Sequence, residues 1–296
     1  MNAYSLELRV SSGFITMPTR GISMITVENL RVKLGGSEVL RGIDAAFRGK
    51  HVVLGPNGSG KTTLFRAISG LVPYRGRIEI DGHPLGRLKG AVKVLATNIA
   101  EVYQLAPVKA LELLNLFSDL SDADPVRALA LLEELGVGEE LLAKRRLWEL
   151  SAGTRKAFTT ALALAVNAKN VLLDEPFEQL DPAKKVKLAS ELEKYSGVVV
   201  MNTHETWVLE ALPDWEVHLA FEGRLYGPIP ARKLENAAIV EGWRDDALLT
   251  IETRAGRFSL VEGEGGRALT ELLTLDRVYE LLTSASVRGS LRGGRR

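Results

Sequence analysis

Apolar residues follow two different spacings along this chain, and the change between them predicts the order of its elements. Residues 24–54 carry short alternating or continuous apolar runs, with Gly35-Gly36 at a turn, which predicts β-structure. From 106 to 150 the apolar positions recur every three or four residues, as in helices. Beyond them, buried-type strands at 170–173 and 198–201 alternate with helical segments. We therefore predict an α/β fold with a mostly parallel sheet, an N-terminal antiparallel β portion and an inserted helical subdomain.

Capping residues define the boundaries of the inserted subdomain more closely. Asp124 at an N-cap, followed by Pro125 at the first helical position, predicts a helix start, and Gly136 predicts the end of that helix. A further helix is predicted over 139–144. We expect three short helices within 106–150.

The two ends of the chain lie outside the α/β pattern. Residues 1–23 alternate only weakly and are treated as an extension of unknown role, whereas 24–235 form the main domain. Residues 236–287 are predicted to form a small C-terminal α+β appendage, with paired strands around Ala255-Gly256 and one helix with an apolar face. The Gly- and Arg-rich residues 288–296 predict a basic, disordered tail.

Composition excludes several classes of function. The 296 residues contain no cysteine, which removes disulfides, thiolate metal sites and cysteine nucleophiles. A formal net charge of +1 gives no electrostatic reason to expect a nucleic-acid partner. No apolar stretch approaches the roughly 18 residues of a spanning helix, and no basic-then-apolar leader opens the chain. We expect a soluble, intracellular protein that reaches a membrane only through a partner.

The first candidate site is a glycine-rich segment between a strand and a helix. It consists of Gly55, Pro56, Asn57, Gly58, Ser59, Gly60, Lys61, Thr62 and Thr63, and it fits the P-loop pattern G-x-x-x-x-G-K-[ST]. Backbone N–H groups of such a loop point at one phosphate cluster, and the following helix adds its positive N-terminal end. Lys61 would reach the β- and γ-phosphates, and the Thr62 hydroxyl would bind Mg²⁺.

A second group of polar residues follows two other apolar strands. Asp174 and Glu175 come after one strand and His204 after another. Ligands bind outside the carboxyl ends of strands in open α/β sheets, so we expect these residues beside the P-loop. Asp174 would hold Mg²⁺ through water, and Glu175 is placed to orient and deprotonate an attacking water. His204, as a neutral imidazole, would contact that water or the γ-phosphate.

Together these motifs resemble those of the ATP-binding cassette (ABC) ATPase family over roughly residues 24–230. In chain order they are GPNGSGKTT at 55–63, LSAGTRK at 150–156, VLLDEP at 171–176, QLD at 179–181 and NTH at 202–204. The resemblance implies a P-loop NTPase fold, ATP and Mg²⁺ as cofactors, and ATP hydrolysis coupled to transport.

The same resemblance implies that two copies share their sites. The signature of one subunit, with Ser151 and Gly153 at a helix N-terminus, would cap the γ-phosphate that is bound by the other. Asp181 would link the two sites across the interface. The implied partners are a second copy or a related ATPase subunit and an integral membrane permease, with no nucleic acid. The protein would then lie on the cytoplasmic face of the membrane, held there by the permease.

Several positions depart from the family pattern. Ala152 and Thr154 replace the usual glycine and glutamine of the signature. Leu34 stands near the place of the aromatic side chain that usually stacks on adenine, so adenine selectivity is expected to be weaker. Asn98 stands at the place of the Q-loop glutamine, with Gln104 as the alternative. Because Asn98 is one methylene shorter, its reach to metal and water is reduced.

The function expected from these features is that of the ATP-binding and ATP-hydrolysing subunit of an ABC transporter, which energises a separate permease through ATP-driven dimerisation. The helical insertion has no long coiled-coil heptads, which favours transport over the chromosome-type ATPases. The alternatives are a soluble, non-transport ABC ATPase acting in regulation or assembly, and a subunit that hydrolyses ATP poorly. The segment 273–284 resembles the ending of drug-exporter ATPase subunits, although any amphipathic packing helix has the same pattern.

Overall fold

Strands of a six-stranded sheet carry most of the candidate site residues at their carboxyl ends. The computed structural model describes residues 6–10, 13–17, 23–88, 93–103, 107–254, 256–263 and 266–269. Within these ranges the strands are β1 (Leu6–Val10), β2 (Gly13–Met17), β3 (Ile25–Leu34), β4 (Ser37–Phe47), β5 (Lys50–Leu54), β6 (Arg75–Ile80), β7 (His83–Pro84), β8 (Leu95–Thr97), β9 (Asn170–Asp174), β10 (Val198–Thr203), β11 (Glu216–Phe221), β12 (Arg224–Pro230), β13 (Ala237–Glu241), β14 (Leu249–Thr253), β15 (Gly256–Glu262) and β16 (Arg267–Ala268). The helices are α1 (Lys61–Ile68), α2 (Ala110–Ser121), α3 (Pro125–Glu134), α4 (Glu139–Lys144), α5 (Ala152–Ala165), α6 (Pro182–Lys194), α7 (Val208–Ala211) and α8 (Ala231–Glu235).

The central sheet has the strand order β12-β11-β5-β10-β9-β8. Its strands are parallel except for β12, which pairs with β11 in the antiparallel direction. A second, antiparallel sheet has the order β4-β3-β6-β7. The predicted combination of a mostly parallel sheet and an N-terminal antiparallel portion is confirmed. Gly35 and Gly36, both with positive φ, form the predicted turn between β3 and β4.

Both faces of the central strands are buried, which explains their continuous apolar runs. Val53 and Val200 face one layer, which includes helix α1 and the antiparallel sheet, whereas Val52 and Met201 face the opposite layer with the helical segments. All four are at most 1% exposed. Because neighbouring side chains of a strand point to opposite faces, a strand that is covered on both sides needs apolar residues at every position.

The helices α2, α3 and α4 lie between β8 and β9 in the chain, where α2 and α3 pack against α5 and α4 packs against α2. As the capping signals predict, α3 starts at Pro125, where the Asp124 carboxylate accepts a hydrogen bond from the Val126 N–H at 2.9 Å. Helix α4 has the predicted bounds, and Gly136, with φ of 82°, follows the end of α3. Leu113, Leu132 and Phe158 are at most 1% exposed in the layer between these helices and the central sheet.

The ends of the chain contribute two small antiparallel sheets. Strands β1 and β2 form a hairpin within residues 1–23, for which the sequence showed only weak alternation. Strands β14 and β15 pair around the predicted turn, in a sheet of order β14-β15-β13-β16. The predicted C-terminal helix and the basic tail lie outside the described residues. In the described part of the chain, no helix is both long enough and apolar enough to cross a membrane.

Two histidines are buried against each other between β5 and β11. His51 and His218 are 3% and 2% exposed, and their Nδ1 and Nε2 atoms lie 3.3 Å apart. His51 Nε2 lies 2.8 Å from the Arg48 nitrogen and 2.9 Å from the Arg48 carbonyl oxygen, so the Arg48 backbone offers it a partner in either neutral tautomer. Burial, and then the neighbouring His51, lowers the pKa of His218 to about 3, and burial also lowers the pKa of His51. The pair is therefore folded in its neutral form.

We predict that this pair makes the fold sensitive to acid. In the unfolded chain a histidine takes up a proton near pH 6.5, whereas folded His218 does so only near pH 3, so acid favours unfolding across that window. The contribution of His218 to the free energy of unfolding is intact above pH 6.5 and falls by about 2 kcal/mol on going to pH 5. Denaturant unfolding at several pH values should give a flatter profile for His218→Gln. Parallel profiles for the two proteins would contradict the prediction.

Candidate functional site

The register of three parallel strands brings the candidate residues to one edge of the central sheet. Strand β10 lies between β5 and β9, with Thr203 beside Leu54 and Asn202 beside Asp174. The P-loop follows β5, Glu175 follows β9 and His204 follows β10. All of these segments leave the sheet at its carboxyl end, where the loops surround a shared crevice.

The P-loop backbone curls around a space that suits a phosphate group. Gly58 and Gly60 have φ of 78° and 104°, which favour glycine. A Cβ atom on Gly55 would lie 2.5 Å from the Ala220 carbonyl oxygen, so only glycine fits there. The Ser59 hydroxyl is buried without a hydrogen-bond partner among the described residues. A buried hydroxyl without a partner, in a glycine-rich loop that leads into a helix, fits a bound phosphate.

Lys61, the first residue of α1, folds back over the loop. Its side chain is 5% exposed, and Nζ donates to the carbonyl oxygens of Gly55 and Pro56 at 2.7 and 3.1 Å. The ammonium group is therefore held at the mouth of the phosphate space. Asn57 lies in the same loop, and Thr63 lies in the first turn of α1.

Oxygen donors suited to Mg²⁺ meet beside the phosphate space. Thr62 Oγ1 donates to Asp174 Oδ1 at 2.8 Å, and Asn202 Nδ2 donates to the same oxygen at 2.6 Å. Hydroxyl and carboxylate oxygens are the ligands that Mg²⁺ prefers, and the ion usually completes its octahedron with phosphate oxygens and water. The described residues form no cluster of three His, Cys, Asp or Glu side chains that would hold a metal without a phosphate. This donor set fits a metal ion bound together with a nucleotide.

Glu175 lies between a lysine and a histidine. Its Oε1 is 3.5 Å from Lys61 Nζ, and its Oε2 is 3.1 Å from His204 Nδ1. The Glu175 N–H donates to Asn202 Oδ1 at 2.9 Å, and the residue has a φ of 45°, which non-glycine residues seldom adopt. Such a backbone conformation persists only where surrounding contacts impose it, and it is common at active sites. The sequence motifs for P-loop, strand-end carboxylates and His204 are thus brought together.

Asn98 uses its side-chain amide to bond to the backbone of the neighbouring strand end. It is 1% exposed, its Oδ1 accepts from the Asp174 N–H at 2.7 Å, and its Nδ2 donates to the Asp174 carbonyl oxygen at 3.1 Å and to Thr160 Oγ1 at 3.0 Å. Strand β8 ends at Thr97, so this side-chain amide continues the ladder with β9 for one more residue. The short side chain bonds to the neighbouring backbone, and the residue also lines the small cavity beside Thr62 and Asp174. The alternative, Gln104, lies outside the described residues.

Ser151 and Asp181 make their hydrogen bonds at the N-termini of their own helices, whereas Gly153 lies against Gln179 from the segment after β9. Ser151 is exposed at the N-cap of α5, where its Oγ accepts from the Thr154 N–H at 3.2 Å and lies 2.8 Å from Thr154 Oγ1. A Cβ atom on Gly153 would lie 2.7 Å from Gln179 Oε1. Asp181 caps α6 by accepting from the Lys184 N–H at 3.0 Å, and this hydrogen bond lowers the pKa of its carboxyl group.

Two contributors to the site were not assigned a role from the sequence. Asn202 bonds to both Asp174 and Glu175, and its position in the NTH motif, one strand across from these carboxylates, was the available signal. Lys156 donates to the Asp174 carbonyl oxygen at 2.7 Å from the second turn of α5. No local pattern predicts this contact, because the two residues approach only through the packing of α5 on the sheet.

Leu34 stands near the place of the aromatic side chain that usually stacks on adenine. It lies at the end of β3 and is 36% exposed.

Comparisons with known proteins agree with this geometry. A family model described as ABC transporter matches residues 46–178. The taurine import ATP-binding protein TauB of Escherichia coli O157:H7 is 32% identical over 231 residues, covering 72% of this chain and 83% of TauB. A solved structure described as a cobalt transport ATP-binding protein is 35% identical with a TM-score of 0.80, covering 87% of this chain and 99% of the other. A dimeric bacterial ABC transporter cassette, at 21% identity and a TM-score of 0.58, shares the fold over 70% of this chain and 99% of its own.

We predict that Asn98 holds Asp174 in place through its side-chain amide. Asn98→Ala removes the partner of a buried N–H group, which should lower the free energy of unfolding by about 1–3 kcal/mol in denaturant titrations. Asn98→Gln should also destabilise the protein, because the extra methylene displaces the amide from the Asp174 backbone. If Asn98→Gln is as stable as the parent protein, the side-chain ladder is not the role of this residue.

Proposed function

This chain belongs to the ABC transporter family of ATP-binding subunits, and from that membership we propose that it is the ATPase of an uptake system, acting as a dimer on a separate membrane permease. The observation that carries the proposal is the position of Glu175, between Lys61 and His204 and next to the P-loop. ATP binding and hydrolysis are the activities of the family. We propose which residues perform these steps, that two copies of the chain act together, and that they act on a permease.

Charge distribution around Glu175 suits the activation of water. Its carboxylate would accept a proton from the water that attacks the γ-phosphate, and His204 would orient that carboxylate through their 3.1 Å contact. Lys61 would turn from the Gly55 and Pro56 carbonyls towards the phosphates and stabilise negative charge as the bond breaks. Mg²⁺, which Thr62 and Asp174 would hold, supplies further stabilisation of this charge.

A second copy of the chain completes the proposed site. Ser151 is exposed at the N-terminus of the 14-residue helix α5, where the backbone N–H groups and the helix dipole favour an anion. Head-to-tail pairing would present Ser151 and Gly153 to the γ-phosphate that lies on the P-loop of the other copy. Ala152 keeps the close approach that the usual glycine permits, and Thr154 supports the cap of α5.

An apolar groove beside the central sheet is the proposed contact with the permease. A cavity of about 450 Å³ lies among the end of α1, the turn after β8 and helix α2, with Tyr74, Val102, Tyr103 and Phe117 in its lining. Val102 is 37% exposed although it is apolar. A groove between the helical subdomain and the segment after β8 would transmit movement of either part to a bound permease segment.

The relatives favour one direction of transport. TauB is a taurine import protein, and this supports uptake as the direction. The resemblance to drug exporters rests on residues 273–284, which lie outside the described residues. Neither taurine nor cobalt is assigned to this chain, because the substrate pocket of such systems lies in another polypeptide.

We predict that Glu175→Gln nearly stops hydrolysis while ATP binding persists. The amide keeps the shape of the carboxylate and its contact with His204, but it accepts no proton, so single-turnover hydrolysis should slow by about 10²–10⁴-fold. Light scattering should show an ATP-bound dimer of twice 32.3 kDa. Glu210→Gln, which makes the same change on the exposed face of α7, is the control and should behave as the parent. Hydrolysis by Glu175→Gln at the parental rate would exclude Glu175 as the base.

We predict that Val102→Glu separates ATPase activity from permease binding. A charged side chain in the apolar groove should abolish copurification with the permease from native membranes, and it should leave the ATPase rate of the isolated subunit within about twofold. Val186→Glu, at an exposed valine of α6, is the control and should copurify normally. Normal copurification of Val102→Glu would place the permease contact elsewhere. If no membrane protein copurifies with the parent, the soluble ABC ATPase is the better assignment.

A further inference from the structure

Asp174 is held from both sides through its backbone as well as through its carboxylate. The Asn98 side chain bonds to its N–H and its carbonyl oxygen, and β10 supports it on the opposite side. The carbonyl oxygen accepts a second hydrogen bond, from Lys156 Nζ at 2.7 Å. The position of this metal-facing residue therefore depends on helix α5 as well as on the sheet.

Lys156 brings a positive charge to the metal-facing carboxylate. Its Nζ lies 3.9 Å from Asp174 Oδ2, whereas Thr62 and Asn202 bond to Oδ1. The Lys156 side chain is 22% exposed and lines a cavity of about 190 Å³ together with Thr62, Asn98 and Asp174. A partly buried ammonium group that contacts a carbonyl oxygen and faces a carboxylate oxygen makes a strong, charge-assisted link.

The helix that carries Lys156 also carries the signature. Ser151 caps the N-terminus of α5, and Lys156 lies five residues further along the same continuous helix. Gln179, which follows Asp174 in the chain, packs against Gly153 in the first turn. One rigid element thus has its exposed end in the signature and its second turn on the Asp174 backbone. A displacement of α5 on capping a phosphate would therefore change the contacts of the Lys156 ammonium with Asp174.

We propose that Lys156 is a positioning residue that couples the signature helix to the metal-facing carboxylate of the same chain. When the signature caps the nucleotide bound by the partner copy, Lys156 adjusts the position of Asp174 at the chain's own nucleotide site. This inference rests on the proposed dimer. Each chain would sense the nucleotide of its partner through Ser151 and would transmit its presence through Lys156 to its own Asp174. Energetic coupling of this kind requires that Ser151 and Lys156 act as a unit, and a double-mutant cycle measures this.

The test uses ATP-driven dimerisation of the full chain in the Glu175→Gln background, where hydrolysis does not interfere. Light scattering gives the ATP concentration at half-maximal dimer formation for Ser151→Ala, for Lys156→Met and for the double variant. We expect each single variant to raise this concentration about tenfold. The double variant should stay within about threefold of either single variant, because either substitution alone already removes the coupling between the signature and Asp174. Lys156→Arg, which keeps charge and donor, should restore most of the parental behaviour.

Control variants distinguish loss of the coupling through Lys156 from a general loss of positive charge or of folding. Lys187→Met removes the same charge from an exposed lysine of α6 and should leave dimerisation unchanged. If circular dichroism shows that Lys156→Met is misfolded, Lys156→Gln replaces it in the cycle. Effects of Ser151→Ala and Lys156→Met that multiply to about a hundredfold in the double variant, or Lys156→Met within twofold of the parent, would overturn the coupling. Absence of an ATP-dependent dimer in Glu175→Gln itself would instead overturn the proposed function, before Lys156 is changed.

Discussion

Parallel pairing of β10 with both β5 and β9 is the constraint on which the rest of this structure depends. Because β10 lies in the middle, its register fixes the height of the P-loop relative to the strand-end carboxylates. Asn202 stands directly beside Asp174, and from there its side chain reaches the Asp174 carboxylate and the Glu175 backbone. A shift by one residue would turn Asn202 to the other face of the sheet and remove both hydrogen bonds.

Burial on both faces makes that register robust. Apolar residues from β5, β9 and β10 contribute to two separate layers, one with α1 and the antiparallel sheet and the other with the helical subdomain. Neither layer can relax alone, since each strand is shared between them. The site is therefore built on the most rigid part of the fold, while the signature lies on a helix packed against it. This arrangement places the phosphate site on the sheet and the signature on a helix that packs against the sheet.

Sequence alone predicted the elements whose signals are local. The P-loop needs glycines with positive φ, and α3 needs Asp124 before Pro125, so a few adjacent residues define each. The position of Asn98 could not be predicted this way, because the strand end that it bonds lies 76 residues further along the chain. Its residue type suggested a shortened version of a metal-facing glutamine. The actual partner is a backbone that only tertiary packing brings within reach, and the same holds for Lys156.

The buried histidine pair has a consequence for how the activity of this protein is measured. A rate that declines between pH 6.5 and pH 5 is usually attributed to protonation of the catalytic base. Over the same interval, the low pKa of folded His218 reduces the free energy of unfolding. His218 lies on the far side of β5 from Glu175, and it is not a catalytic group. At temperatures or denaturant concentrations where only a few kcal/mol of folding free energy are left, the acid limb of a pH–rate profile thus combines the folded fraction with the chemistry. Dividing each rate by the fraction of folded protein at that pH isolates the chemical step.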